Sequence, residues 1–415
     1  MVMSDDASKK RLGLRSTRSL IAILAFVLGF ATVPHRVCER DAGAYFDGEA
    51  RSVDALAASV AGWTGQELSP ASFATGSRRF DGEWLFGTYM MAAMGFGQVA
   101  LASDDPARRA ESIARMELCL DAMLAPAARA FDGDAWTLDA LASTRALPGS
   151  SQDRGHVAYL GYAGLALGLH RLVVPVSRFD TVHDAIAATL ARRFARAPNG
   201  FVETYPGEVY PVDNAAGLGA LALHAKAVHA PPCPGLTRGL DALRARAVQP
   251  ATGLLAQSVS ALDAAPGDPG RGSGTALASY FLAFADPSLS AALYHAMHRE
   301  LFRTAIGFGA ILEHPTSSAE HAWRADVDSG PVFLGLGVSA TGFAIGASRA
   351  NDDRDSFVAL YATAHLFGAP FDEGNVRTYA TGGPLGDAIL FAMLTAPRPA
   401  LLARSLAIVA VARAS

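Results

Sequence analysis

The feature that most constrains this chain is an alternation that starts near Gly82. Long segments with almost no charge, rich in Gly and Ala, take turns with segments that carry charge. The uncharged kind covers 84–101, 156–174, 214–229, 274–285, 331–348 and 385–395. The charged kind covers 106–129, 179–196, 236–248, 287–303 and 352–367, and a last piece, 401–412, departs from the rule by having little charge. A helix that is apolar all round is buried, whereas one with a charged face is peripheral. Alternation of the two predicts an inner and an outer ring, with the small residues letting inner backbones crowd around a central axis. The expectation is an all-α domain of about twelve helices in six hairpins, closed as an (α/α)6 toroid, with a repeat of roughly 50–60 residues.

Local signals support these boundaries. Asp105-Pro106 and Asp286-Pro287 each place an N-cap before a proline at the first helical position. Gly330-Pro331 and Gly383-Pro384 do the same more weakly. Long polar loops at 132–155, 198–211, 253–272 and 307–329 separate the hairpins, and the strand-like run 308–312 fits a β-hairpin. Loops of that length in a compact domain are usually functional or disordered.

Ahead of the toroid domain, residues 82–415, lies a lead-in at 41–81 with a weak helical pattern at 53–61. Residues 1–40 read as a signal peptide or membrane anchor. Lys9, Lys10, Arg11, Arg15 and Arg18 precede the uncharged stretch 19–33. That stretch is shorter than the roughly 20 residues of a spanning helix and matches a signal-peptide core of about 7–15. A cleaved signal and an uncleaved anchor through 19–33 both fit, with the basic flank inside. A buried N-terminal helix is the alternative. Signal and anchor both put the domain on the periplasmic or extracellular side, and the uncleaved anchor would hold it there at the inner membrane.

Of the 415 residues, 51% are hydrophobic and 18% charged, which excludes a disordered chain. The net charge of −4 leaves no basic footprint for nucleic acid. Cys38, Cys119 and Cys233 are far apart, which excludes a disulfide framework and a thiolate zinc site. Neither oligomeric state nor any cofactor is indicated.

In such a toroid the polar residues just before each inner helix should line one shared cavity. They are Asp81 and Glu83; Asp153, Arg154 and His156; Glu203, Tyr205, Glu208, Tyr210, Asp213 and Asn214; Arg271 and Ser273; Asp326, Asp328 and Ser329; and Asp387. The richest stretch, 201–217, mixes three carboxylates with two tyrosines. Aromatic platforms beside carboxylates suit a sugar: the ring stacks while one acid protonates a leaving oxygen and another acts as base or nucleophile. The expected acid–base pair is Asp213 and Asp328, with Glu208 as the alternative acid and His156 as a supporting polar group or base. Tyr205, Tyr210, Asn214, Trp323 and Asp326 would bind substrate. The plainer readings are that Asp213 and Asp328 cap helices, that Glu208 sits on a solvated loop, that the tyrosines pack it, and that His156 is a satisfied helix-start histidine. Glu313-His314 and Glu320-His321 lack the helical spacing of a zinc protease, and no metal is expected. Ser273 sits in a Gly-Ser helix entry without the strand that a nucleophile elbow needs.

Three segments carry a resemblance: RGHVAYLGYAGLALGLHR from Arg154, YPVDNAAGLGALALHAK from Tyr210, and DVDSGPVFLGLGVSATGFAIGASRA from Asp326. Over residues 82–412 the chain resembles the (α/α)6 toroid superfamily of six-hairpin glycosidases, polysaccharide lyases and the linalool dehydratase/isomerase type. It looks most like the last group and its bacterial relatives. The resemblance implies the fold and the position of the cavity. Enzymes of the linalool type use active-site cysteines, and here neither Cys119 nor Cys233 falls in a rim motif. Three functions follow as expectations. The first is an exported hydrolase or lyase on a glycan-like envelope substrate. The second is a terpenoid hydro-lyase with Met90, Met91, Met94 and Phe96 lining its cavity. The third is a non-catalytic envelope scaffold whose carboxylates only cap helices.

Overall fold

The computed structural model describes residues 22, 29, 32–316 and 330–402. Two helices come first, α1 (Ala42–Asp47) and α2 (Ala50–Thr64). They are followed by α3 (Arg78–Ala102), α4 (Pro106–Leu124), α5 (Pro126–Trp136), α6 (Ala140–Ser143), α7 (Val157–Val173) and α8 (Asp180–Arg196). The chain continues through α9 (Pro211–Ala227), α10 (Pro234–Ala242), α11 (Gly272–Leu282) and α12 (Pro287–Leu301). It then runs through α13 (Val338–Ala350), α14 (Arg354–Gly368) and α15 (Gly383–Thr395). Helices α3, α7, α9, α11, α13 and α15 form a closed inner ring, in which each packs on the next and α15 packs back on α3. Helices α4, α8, α10, α12 and α14 lie outside it, against their inner partners. The chain is an all-α toroid of helical hairpins.

Sequence chemistry sets these elements. The Asp105 and Asp286 side chains accept from the Ala107 and Leu289 amides at 2.9 Å, each ahead of a proline. Asp353 caps α14 in the same way through Ser356 at 3.0 Å. Along the inner ring, glycine permits contact that no side chain would. A methyl group at Gly161 would stand 2.9 Å from the Gly217 amide nitrogen, so α7 and α9 meet backbone to backbone.

Gln98 ties the far end of the ring together. Its amide nitrogen donates to the Ala392 carbonyl at 2.9 Å and to the Thr395 hydroxyl at 3.1 Å, while its oxygen accepts from Tyr280 at 2.9 Å. One buried side chain thus joins α3, α11 and α15.

Four short antiparallel pairs decorate the ring. They are β1 (Glu208–Val209) with β2 (Val259–Ser260), β3 (Phe302–Ala305) with β4 (Phe308–Ile311), β5 (Val332–Phe333) with β6 (Leu336–Gly337), and β7 (Pro370–Glu373) with β8 (Val376–Tyr379).

Three sequence expectations need correction. The stretch 331–348 is not one helix, because Leu334 and Gly335 both take positive φ, at 52° and 82°, and turn the chain into the β5–β6 hairpin before α13 begins. The stretch 106–129 breaks at Pro126, which lacks the amide a continuing helix requires. The outer place beside α15 is taken by α2, from the region read as a lead-in. Most of 401–412, and of the apolar stretch 19–33, lies outside the described residues. One described helix, Arg78–Ala102, is long and apolar enough to cross a membrane, and it is the buried inner helix α3.

Candidate functional site

All six inner helices direct their N-terminal turns toward one end of the ring. There a cavity of about 660 Å³ opens, lined by residues from the first turns of every inner helix. Helix N-termini carry partial positive charge, about half an elementary charge each at most, and favour anionic groups nearby. Among the described lining residues the charged ones are Arg79, Glu83, Glu208, Asp213 and Arg271. They come from α3, the β1 loop, α9 and the start of α11.

Asp213 is the third residue of α9, and Tyr210 holds the N-cap position. One Asp213 carboxylate oxygen accepts from the Tyr162 hydroxyl at 2.9 Å, and the other from the Thr204 hydroxyl at 2.8 Å. Both donors come from other elements, so the carboxylate is aimed from two sides. Next to Thr204, the Tyr205 hydroxyl donates to Glu83, and the Arg79 guanidinium lies over the Tyr205 ring, 4.7 Å from its centroid. Burial, and then the Glu83 carboxylate, raise the Tyr205 phenol far above its usual range, so it stays a hydrogen-bond donor. Glu208 is exposed at the mouth and accepts from Tyr210 at 3.0 Å.

The remaining predicted residues fall elsewhere. Asn214 does not line the cavity. It is buried, accepts from the Val202 amide at 2.9 Å, and donates to the Val202 and Tyr210 carbonyls at 3.0 Å, pinning the 202–210 loop. His156 is also buried away from the cavity, because the chain enters α7 there in a left-handed turn, φ 61°. Its Nδ1 meets Asp132 at 2.5 Å and its ring stacks on Trp136. Trp136 donates to the Thr204 carbonyl at 3.2 Å. His156 therefore stands behind the loop that carries Thr204 and is no base for a substrate in the cavity. Asp153 is held by Arg192, Arg193 and Arg196, and Asp387 by Ser59 and Trp63, so neither lines the cavity. Trp323, Asp326 and Asp328 lie outside the described residues.

At the edge of the cavity the Ser273 hydroxyl donates to buried Glu313 at 2.6 Å, and Arg271 lies 3.5 Å from the same oxygen. Among the described residues no group of three His, Cys, Asp or Glu is placed to hold a metal ion. Cys38 and Cys119 are buried, Cys233 is half-buried, and none of them lines the cavity. Burial pushes the Cys119 thiol up to about 12, which leaves it inert as a nucleophile.

Tyr162 and Thr204 were not singled out from sequence, and Glu83 was only one of many rim residues. Glu83 and Tyr162 lie inside helices that are apolar on every side, where periodicity gives no phase to tell the cavity face from the core face.

The rest of the lining is apolar. Met90 and Met91 face the cavity, whereas Met94 and Phe96 are packed in the core, Phe96 against Phe391.

No protein-family model matches the chain, and no curated protein matches it by sequence. Solved structures do match. An unsaturated glucuronyl hydrolase specific for heparin superposes with a TM-score of 0.50 at 11% identity, over 84% of this chain and 96% of that one. A family-76 α-mannanase from Bacteroides thetaiotaomicron gives 0.45 at 11%, over 77% and 87%. Dfg5 from Chaetomium thermophilum, solved with glucosamine, gives 0.46 at 13%, over 77% and 80%. At such identities the first of these supports the toroid fold alone.

Proposed function

We propose that this protein is a toroid hydrolase or lyase that cleaves a glycan-like envelope substrate by carboxylate acid–base chemistry. The observation that carries the reading is the polar corner of the cavity, where Asp213 and Glu83 each receive a phenol hydrogen bond beneath the converging helix N-termini. Asp213, oriented by Tyr162 and Thr204, is the base or nucleophile. The second carboxylate is Glu83 or the exposed Glu208, with Asp328 of the 317–329 segment as the partner expected from sequence. Tyr205 and Tyr210 supply stacking faces, and Arg271 a charged contact. The fold shared with an unsaturated glucuronyl hydrolase specific for heparin supports the substrate class. The basic N-terminus followed by 19–33 supports export, with the domain on the periplasmic or extracellular side and anchored there if the segment is kept.

The test is a screen of oligosaccharides against the parent and Asp213→Asn. Cleavage by the parent, and a loss of 10²-fold or more in the variant, is the expected result. A folded parent that cleaves nothing, or an Asp213→Asn that keeps full activity, overturns the assignment. A second reading, a hydro-lyase for a terpenoid alcohol, is favoured by one observation, the apolar wall that includes Met90 and Met91. It predicts turnover of a substrate with no sugar.

A further inference from the structure

The cavity is divided by chemistry. Every charged lining residue among those described belongs to the α3, β1-loop, α9 and α11 side. The lining residues from 330–390 include no charge at all. Phe343, Leu385, Ile389 and Leu390 form this wall, and it continues deeper in the cavity through Leu277 of α11 and Met90 and Met91 of α3, beyond the charged first turns of those helices. Three of its threonine hydroxyls meet the backbone, while the Ser339 and Tyr379 hydroxyls are the polar points left on it. Thr341 accepts from the Ile311 amide at 3.1 Å, Thr381 donates to the Phe367 carbonyl at 2.9 Å, and Thr363 to the Ala359 carbonyl at 3.4 Å.

Two bare positions open the wall. Gly342 on α13 and Gly386 on α15 both line the cavity, and a methyl group built on either would meet nothing within 4 Å. At the mouth the apolar face continues into Phe333, Val338 and Phe367, which are 58–64% exposed. A saccharide alone can stack its C–H face on one aromatic ring, but its equatorial hydroxyls would leave the aliphatic length of this wall unmatched. A hydrocarbon alone would strand the Asp213 and Glu83 corner.

We infer that the substrate is amphipathic: a saccharide head group at the Asp213–Glu83 corner, joined to an apolar chain that lies along the Leu277–Phe343–Ile389 wall and leaves past Phe333 and Phe367. The inference rests on the glycan reading above and names its substrate class, a lipid-linked saccharide. The polar corner holds the bond to be cleaved, while the wall binds the chain through area alone and so sets affinity. The glycines keep a furrow open between α13 and α15 for that chain.

The test uses the full chain and calorimetric titration with methyl, hexyl and octyl glucosides and mannosides below their micelle concentrations, with 1-octanol as the chain without a sugar. Affinity is expected to rise by about fourfold per fully buried methylene. Gly386→Leu, whose first carbon meets nothing within 4 Å, is expected to weaken octyl glycoside binding at least tenfold, and Gly386→Ala to weaken it less, with the melting point of Gly386→Ala unchanged or raised. Equal affinity for methyl, hexyl and octyl glycosides, or an octyl glycoside bound as tightly by Gly386→Leu as by the parent, overturns the inference and leaves the glycan reading standing. Octanol bound as tightly as octyl glycoside removes the role of the sugar and overturns both.

Discussion

Asp213 and Asp153 are both acids near the starts of inner helices, and their surroundings give them opposite duties. Asp213 is half-buried, faces the cavity and is held by two hydroxyls. Asp153 is buried under three arginines. Burial works to raise its carboxyl, but hydrogen bonds from Arg192, the Gly149 amide and Arg193 outweigh that and take it from 3.8 to about 2. A carboxyl lowered by folding stabilises the protein above its unfolded value and loses that contribution as pH falls toward the folded one. About 2 kcal/mol should therefore disappear between pH 5 and pH 2, and Asp153→Asn should flatten this part of the pH–stability curve in chemical denaturation. Asp213→Asn should instead leave the melting point within a few degrees of the parent, since an amide can keep the Tyr162 and Thr204 hydroxyls as neighbours and no arginine pair is lost. A drop as large as that of Asp153→Asn would make Asp213 structural. Tyr162→Phe removes one of the two bonds that aim Asp213 and should lower kcat by about three- to tenfold with KM unchanged.

At the scale of the element, the loop 201–210 is where support and chemistry meet. Asn214 clamps it from below, and Trp136, stacked on His156, holds it from behind. Asn214→Ala leaves the buried Val202 amide and carbonyl unpaired and should cost about 1–3 kcal/mol. Limited proteolysis should then cut first within this loop, and protection equal to the parent would show that the clamp is dispensable. The same elements mark how far sequence could be read. Charge alternation identified the inner and outer helices because burial of a charge is costly wherever it falls. It missed the β5–β6 hairpin, because Val332, Phe333 and Leu336 are as apolar as a helix core and only the Leu334-Gly335 turn distinguishes them. It named Glu208, Tyr205, Tyr210 and Asp213, which line the cavity, since loops concentrate polar residues. It also named Asn214 and His156, which do not, because polarity near a helix start serves backbone pairing as readily as a substrate. Tyr162 gave no signal, since a tyrosine within an apolar helix reads as core.

For the whole molecule, closure of the ring is the central fact. Gln98 joins α3 to α11 and α15 at the end away from the cavity, so its loss acts on three helices at once. Gln98→Ala strands the Tyr280 hydroxyl, leaves the Ala392 carbonyl only the Thr395 hydroxyl at 3.4 Å, and should destabilise the protein by about 1–3 kcal/mol in a single cooperative transition. A biphasic unfolding curve for the parent would instead mean that the ring opens in sections. The division of labour along the axis is plain: one end is tied by amide and hydroxyl bonds, and the other carries loops, hairpins and the cavity.

The seat of α2 beside α15 has a consequence in time. Residues near 60 and residues near 387 meet through Ser59, Trp63 and Asp387, 324 and 328 positions apart along the chain. A ribosome delivers these two partners at least 324 residues apart. Until the last inner helix emerges, α2 and one flank of α3 wait with their apolar faces bare, and the unfinished toroid is a horseshoe with two adhesive edges. Such long-range pairing is slow, and its waiting species is prone to clump. The seam between α2 and α15 is therefore where a holding chaperone would do most, and where loss of either helix would tell first.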